Sequence, residues 1–215
     1  MSRPDPIATR AVPAIGCLEI LPFCAQADAP TAHRWLTDPH ARFWGMGDNT
    51  PADTRRYFDA IDDAATHEAW LGRCEGVPRF LVEVYDPRAD AIGAYYDVAP
   101  GDTGMHILIA PPERRIPGFT WAVFAFVVDT LFARADVARL VVEPDIANDG
   151  IHPLNERAGF SYVRHVDMGD KTAAFSVCTR AAHAGAMQSL SPAHARAACR
   201  EPAVAVATAD QEIMQ

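Results

Sequence analysis

His106 stands alone in an apolar run, Gly104-Met105-His106-Ile107-Leu108-Ile109-Ala110, which leads directly into Pro111-Pro112-Glu113-Arg114-Arg115-Ile116-Pro117-Gly118-Phe119-Thr120 and an apolar helix. An imidazole titrates near neutral pH, so one presented from an extended strand is suited to take a proton from a nucleophile. The following turn has the parts of an anion cradle: two arginines, a glycine that permits close backbone approach, and a helix start whose unpaired N–H groups point outward. Pro117 removes one such donor. A basic helix cap remains the alternative reading of Arg114 to Thr120 taken alone.

Other residues offer chemistry at longer range. Asp145 ends a later apolar run, 39 residues after His106. Trp44 and Met46 lie in the loop His40-Ala41-Arg42-Phe43-Trp44-Gly45-Met46-Gly47, where the indole is either an acceptor-pocket wall or a core anchor. Tyr95 and Tyr96 fall on an expected strand, where alternation sends them to opposite faces, so at most one lines a site directly. Asp97 and Asp102 sit near turns and would attract an ammonium. Asn148 is either a ligand contact or an N-cap.

The elements that must position these residues follow from periodicity and turn chemistry. A first strand is expected over 17–24, a brief helix from Thr31 to Leu36 ended by Pro39, and a helix from Pro51 to about Ala65 with Tyr57, Phe58 and Ile61 on one face. Strands are expected over 79–85, 91–98 and 104–110, separated by Asp86-Pro87 and Pro100-Gly101-Asp102. Residues 118–133 are apolar almost all round, as in a helix packed on a sheet, and 138–143 reads as a buried strand. A short helix ends at Gly159, and strands close the domain over 160–166 and 171–179. Residues 1–16 read as a flexible lead-in, 17–180 as one α+β domain, and 181–215 as an alanine-rich tail, disordered or loosely helical, with His183 and His194 solvated.

That order resembles the GNAT acyltransferase superfamily, and within it the hydroxamate-forming acyltransferases of siderophore biosynthesis, of the aerobactin, alcaligin, desferrioxamine and mycobactin type. The resemblance covers roughly Leu18 to Arg180. It rests on Phe43-Trp44-Gly45-Met46, on the His106 strand, on Glu143-Pro144-Asp145-Ile146-Ala147-Asn148, and on Leu154-Asn155-Glu156-Arg157-Ala158-Gly159-Phe160. It implies a mixed central sheet with helices on both faces, and acetyl-CoA or succinyl-CoA as acyl donor with no metal. Ile107, Leu108, Ile109, Arg114, Arg115, Gly118, Phe119, Thr120, Asn148 and Asn155 would contact the donor. His106 would be the general base, with Asp145 as its partner or as an acceptor-binding carboxylate. Trp44, Met46, Tyr95, Tyr96 and Asp97 would line the acceptor site. Asn155 stands where many superfamily members place a tyrosine that protonates the departing thiolate. The implied acceptor is a small N-hydroxylated amine derived from lysine or a diamine, with a pathway hydroxylase and synthetase as partners. An aminoglycoside-type N-acetyltransferase and a non-catalytic CoA-binding module are the alternatives.

Composition narrows the field further. The 215 residues are 49% hydrophobic and carry a formal charge of −9, with 19 basic residues against 28 acidic ones. That balance argues against a nucleic-acid surface and faintly favours an acceptor with a free ammonium. No apolar run has the length of a signal peptide core or a bilayer span, so a cytoplasmic protein without membrane partners is expected. Five cysteines without CxxC spacing suggest reduced thiols.

Overall fold

The computed structural model describes residues 4–112 and 114–190. Its frame is a sheet of eight strands: β1 (Ala8–Val12), β2 (Gly16–Pro22), β3 (His67–Cys74), β4 (Val77–Tyr85), β5 (Asp102–Ile109), β6 (Arg139–Val142), β7 (Ser161–Asp167) and β8 (Thr172–Thr179), in spatial order β1-β2-β3-β4-β5-β6-β8-β7. Every neighbouring pair is antiparallel except β5 and β6. A parallel pair needs a long crossover, which helix α3 (Phe119–Ala133) supplies.

The two faces of the sheet carry separate cores. On one, α1 (Ala25–Leu36) and α2 (Pro51–Asp62) pack Ala29, Ala32, Leu36, Phe58 and Ile61 against Leu71, Leu81 and Leu108. Thr50 and Asp53 start α2 with reciprocal side-chain to backbone bonds, satisfying two of its free amides. On the other face, α3 buries Val123, Phe124, Val127 and Leu131 against Leu18, Ile20, Val84, Met105 and Leu140. Helix α4 (His152–Ala158) ends at Gly159, whose φ of +94° is the left-handed conformation that closes a helix, and α5 (Arg180–Ser189) follows β8. The expected mixed sheet with helices on both faces is the observed one. No described helix is long and apolar enough to cross a membrane.

Several expectations differ from the observed elements. The lead-in contains β1, which extends the sheet by pairing with β2. Helix α1 starts at Ala25 rather than Thr31 and accommodates Pro30. Strand β3 was not expected; at its Gly72 the Phe80 ring lies where a Cβ would be. The strand expected over 91–98 is absent: Asp86 and Asp90 accept hydrogen bonds from the backbone N–H groups of Arg88 and Ile92, each 3.0 Å, and hold the chain in short 3₁₀ turns at Pro87–Ala89 and Ala91–Tyr95. Local side-chain acceptors thus override strand propensity.

The tail expected to begin at residue 181 is α5 through Ser189; residues 191–215, with His194, lie outside the described ones. His183 is buried, not solvated. Its Nε2 lies 2.7 Å from Asp129 on α3, its Nδ1 2.8 Å from the Ala158 carbonyl, and its ring stacks on Phe132. Arg10 of β1 also holds Asp129, at 2.8 Å. Burial alone would lower the His183 pKa, but Asp129 and the Ala158 carbonyl raise it above the ordinary value. A group raised on folding stabilises fully below its unfolded pKa, roughly 6.5, and loses that contribution as pH rises through the folded value. His183→Ala should therefore cost about 1–3 kcal/mol at pH 6. Urea unfolding at pH 6 and pH 9.5 checks this, with the mutant penalty smaller at the higher pH.

Candidate active site

The pairing of β5 sets the site. Its antiparallel partner β4 follows it from Gly104 to Ile109, whereas β6 stays beside it only from Asp102 to Gly104. Beyond Gly104 the strands part. The Ala110 N–H donates to the Arg79 carbonyl at 2.9 Å, and antiparallel alternation then turns the amides of His106 and Leu108 toward β4 and those of Ile107 and Ile109 toward the gap. Leu108 is thereby placed differently from expectation: its amide is on the β4 side and its side chain is 4% exposed in the α1/α2 core.

A cavity of about 320 Å³ passes through this gap from one face of the sheet to the other. Phe124, Ile151, Asn155 and Met105 line it on the α3 and α4 side; Trp44, Met46, Tyr57, Glu83 and His106 line it on the α1 and α2 side. Asp145, Asn148, Asp170 and Lys171 are also part of its lining. The Trp44 ring meets His106 edge-on at 5.8 Å. Tyr95, Tyr96 and Asp97 are not among the lining residues. The 3₁₀ turn carries them away, and Tyr96 packs instead on Phe175 at 4.9 Å. Asp102 is engaged by Arg139 at 2.6 Å and is not available to an ammonium.

Inside the cavity the imidazole of His106 lies between two buried carboxylates. Nε2 is 2.6 Å from Glu143 Oε1, and Nδ1 is 3.5 Å from Glu83 Oε2. Tyr85 donates its hydroxyl to Glu143 at 2.7 Å and Tyr57 donates to Glu83 at 2.9 Å. His67 reaches Glu83 at 3.7 Å and Lys171 reaches Glu143 at 3.8 Å. The Tyr85 ring holds its place because Gly104 has no side chain: a Cβ there would fall 2.1 Å from the ring.

Asp145 is not the partner of His106. Strand β6 ends at Val142, and past Pro144 the chain turns so that the Asp145 carboxylate accepts the Ala147 N–H at 2.8 Å. Glu143, two residues earlier in the same motif, takes the position. Glu83 had a readable signal, a carboxylate in the apolar strand Phe80-Leu81-Val82-Glu83-Val84-Tyr85, because a charge at a core position demands a partner. Tyr57 had a weaker one in its helix face, and Tyr85 and Lys171 had none.

These contacts set the protonation states. Burial would raise the Glu83 pKa, but the nearby imidazoles of His106 and His67 bring it down to about 2. Glu143 is likewise held low against its burial, by His106, Lys171 and Tyr85. Desolvation would lower the His106 pKa, yet the two carboxylates push it up to about 10. The imidazole is a cation at neutral pH with no lone pair to offer. Both ring nitrogens of His106 thus face carboxylates in the resting site, which favours its charged form.

Several of the residues expected to hold the acyl donor border open space or carry unpaired polar groups. Gly118 precedes α3 at φ +77°, and a Cβ on it would meet nothing within 4 Å, so the space in front of it is open. The first intrahelical bond is Ala122 N–H to the Gly118 carbonyl at 2.9 Å, and Phe119 N–H bonds the Ile116 carbonyl, which leaves the amides of Thr120 and Trp121 outside the helical ladder. Arg114 and Arg115 are exposed in the preceding loop. Asn155 is 4% exposed, and both polar atoms of its side chain lack a partner. An acyl-CoA fits this set: amides at a helix start for phosphate, open β5 amides and an orphaned buried amide side chain for the pantetheine arm.

Residues 25–168 match the model of the Acetyltransferase (GNAT) domain. The chain belongs to the GNAT acetyltransferase family. It is 29% identical over 160 residues to lysine N-acyltransferase MbtK of Mycobacterium sp. strain MCS, covering 74% of this chain and 66% of that one, so it spans just under two thirds of that relative's length. The hydroxyornithine transacylase SID3 of Ajellomyces capsulatus is 24% identical over 83% of this chain and 42% of its own, and the N(6)-hydroxylysine O-acetyltransferase of Escherichia coli is 24% identical over 67% and 46%. An uncharacterized Bacillus halodurans protein superposes with TM-score 0.76 at 22% identity, covering 86% of this chain and 97% of that one. The aminoglycoside acetyltransferase AAC(6')-Ib with ribostamycin and coenzyme A does so with TM-score 0.69 at 20%, covering 77% and 94%. These superpositions establish the shared fold.

The cluster's pH dependence has a definite sign. The two glutamates, lowered on folding, stabilise above their unfolded pKa of about 4.5, and His106, raised on folding, does so below about 6.5. Their joint contribution is complete between those values, fading as pH falls toward 2 or rises toward 10. The His106 Cε1–H resonance should keep its protonated position at pH 7.5 and titrate near 10, whereas in Glu143→Gln its midpoint should fall. A wild-type midpoint near 6.5 would contradict the ion pairs.

Proposed function

We propose that this enzyme transfers an acyl group, acetyl or succinyl, from CoA to the nitrogen of an N-hydroxylated amine, derived from lysine or a diamine, and so forms a siderophore hydroxamate. The observation that carries the reading is the imidazole of His106 set between the buried carboxylates of Glu143, at 2.6 Å, and Glu83, at 3.5 Å. With His106 charged, the only bases in the cavity are weak ones. An ordinary ammonium would first have to be stripped of a tightly held proton, a task for a strong base. N-hydroxylation makes the nitrogen much less basic, so the acceptor arrives neutral and releases its proton readily once it has attacked the thioester. The named activities of the mycobacterial, fungal and Escherichia coli relatives support the same acceptor class.

In this mechanism the amides of Thr120 and Trp121, with Arg114 and Arg115, hold the pyrophosphate at the start of α3. Asn155 and Asn148 hold the pantetheine arm, and Ile107 and Ile109 present amides to it along β5. One of those amides, already aimed into the gap, stabilises the oxyanion as the tetrahedral intermediate forms. Trp44, Met46 and Tyr57 wall the acceptor side, and Asp145 draws in its free ammonium at the rim. Transfer is direct, with no covalent enzyme intermediate.

Acetyl-CoA and succinyl-CoA should each be tested against N-hydroxylysine, N-hydroxyputrescine, N-hydroxycadaverine and the three unhydroxylated amines. Turnover should favour the hydroxylated member of each pair; preference for the plain amines or for aminoglycosides would refute the acceptor class. Gly118→Val should weaken CoA binding by about tenfold or more, equivalent to roughly 1.4 kcal/mol, in calorimetry. Unchanged affinity would remove the start of α3 from the donor site. Asp145→Asn should raise the acceptor KM and leave CoA affinity as it is, and a KM equal to wild type would reduce Asp145 to its turn-capping role.

A further inference from the structure

Acyl transfer moves two protons: one leaves the nucleophilic nitrogen and one must reach the departing sulfur. Asn155 has none to give, so the second proton needs another source. His106 is placed to supply it. Its ring sits where β5 and β6 part, next to the open Ile107 amide, and its side chain is 35% exposed on the cavity wall. Glu143 grips Nε2 at 2.6 Å, whereas Nδ1 has only the looser 3.5 Å contact with Glu83. The Nδ1 proton is therefore the one free to move.

Glu83 has the complementary vacancy. Its Oε2 takes the Tyr57 hydroxyl and faces both His67 and His106, but its Oε1 is buried with no hydrogen-bond partner, although the residue lines the cavity. A buried carboxylate oxygen without a donor is costly, and the N–H of a bound acceptor is a donor of the required kind.

We propose that Glu83 is the base and His106 the acid of acyl transfer: Glu83 takes the proton of the acceptor nitrogen and His106 gives its Nδ1 proton to the departing sulfur. This rests on the acyl-transfer reading above. The nitrogen lone pair forms the C–N bond to the thioester carbon, and the resulting N–H proton passes to Glu83 Oε1. Collapse of the intermediate breaks the C–S bond, and the sulfur takes the electron pair and the His106 proton to become the free thiol. Rotation of the protonated Glu83 carboxyl group exchanges its two oxygens and brings the proton to the position 3.5 Å from Nδ1, from which it returns to His106, and the site is reset with no other reactant. Glu143 and Lys171 keep the opposite edge of the ring in place, and Tyr85 holds Glu143. The raised imidazole pKa means that the acid is loaded at neutral pH, and a thiol is of comparable strength.

The leaving group separates this arrangement from a base role for His106. His106→Gln and Glu83→Gln are assayed with acetyl-CoA and with S-(4-nitrophenyl) thioacetate, whose aryl thiolate departs without protonation. His106→Gln should lose roughly 10²–10⁴-fold in kcat with acetyl-CoA and under about tenfold with the aryl thioester, while Glu83→Gln should lose on the order of 10²–10⁴-fold with both. Equal losses of His106→Gln on the two donors, or wild-type turnover by Glu83→Gln, would overturn the proposal. Calorimetric CoA affinity reports whether each variant is folded. In the wild type itself, kcat with acetyl-CoA should fall on the alkaline side as His106 loses its proton, and kcat with the aryl thioester should not; matching profiles would count against the acid. Each assay is run with an N-hydroxylated amine and its parent amine. Turnover confined to the parent amine would refute the proposed acceptor while the donor comparison still decides the roles of His106 and Glu83.

Discussion

The short parallel pairing of β5 and β6 is the constraint on which the rest of this molecule depends. Three registered pairs, Asp102 with Arg139 through Gly104 with Val141, hold the strands together at one end, and beyond them the sheet opens. The opening creates a passage between two otherwise separate cores and leaves backbone amides of β5 unpaired along it. Buried amides of this kind are costly in a protein that binds nothing there. Helix α3, which follows β5 in the chain, adds the amides of Thr120 and Trp121, which lie outside its helical ladder.

The ion cluster at the apex follows from the same geometry. Glu83 on β4 and His106 on β5 are registered partners that share a face, and Glu143 joins them from the residue directly after the end of β6. Two buried carboxylates would be strongly unfavourable alone, and an imidazolium between them offsets that cost only partly. Burial of such a group is weak evidence for stability and better evidence for chemistry. Rigid positioning is reinforced by Tyr85, which crosses β5 over Gly104 and so fixes Glu143 from below.

Protonation is also where the structure changes the chemical argument most. A histidine on a strand invites the role of base because its free pKa suits one. Its surroundings here reverse that, since two carboxylates hold the proton that a base would need to lack. Asn155, at the position where the resemblance places an acid, is a buried side chain with two unsatisfied polar atoms.

Much of the fold was legible in the chain. The apolar all-round pattern of α3, the Pro51 start of α2, the Gly159 end of α4, and the closing strands are written in local periodicity and turn residues, and those act over a few residues. His106, Asn148, Asn155, Trp44 and Met46, singled out from motif context, line one cavity. What the chain alone left undecided depends on contacts distant in sequence: that Glu143 and not Asp145 meets His106, that Glu83 lies opposite, that Tyr95 and Tyr96 turn away under the capping of Asp86 and Asp90, and that His183 fastens α5 to α3. Strand order and register decide which side chains become neighbours, and neighbours decide pKa. Periodicity specifies the face a residue takes; only the assembled sheet specifies what shares that face with it.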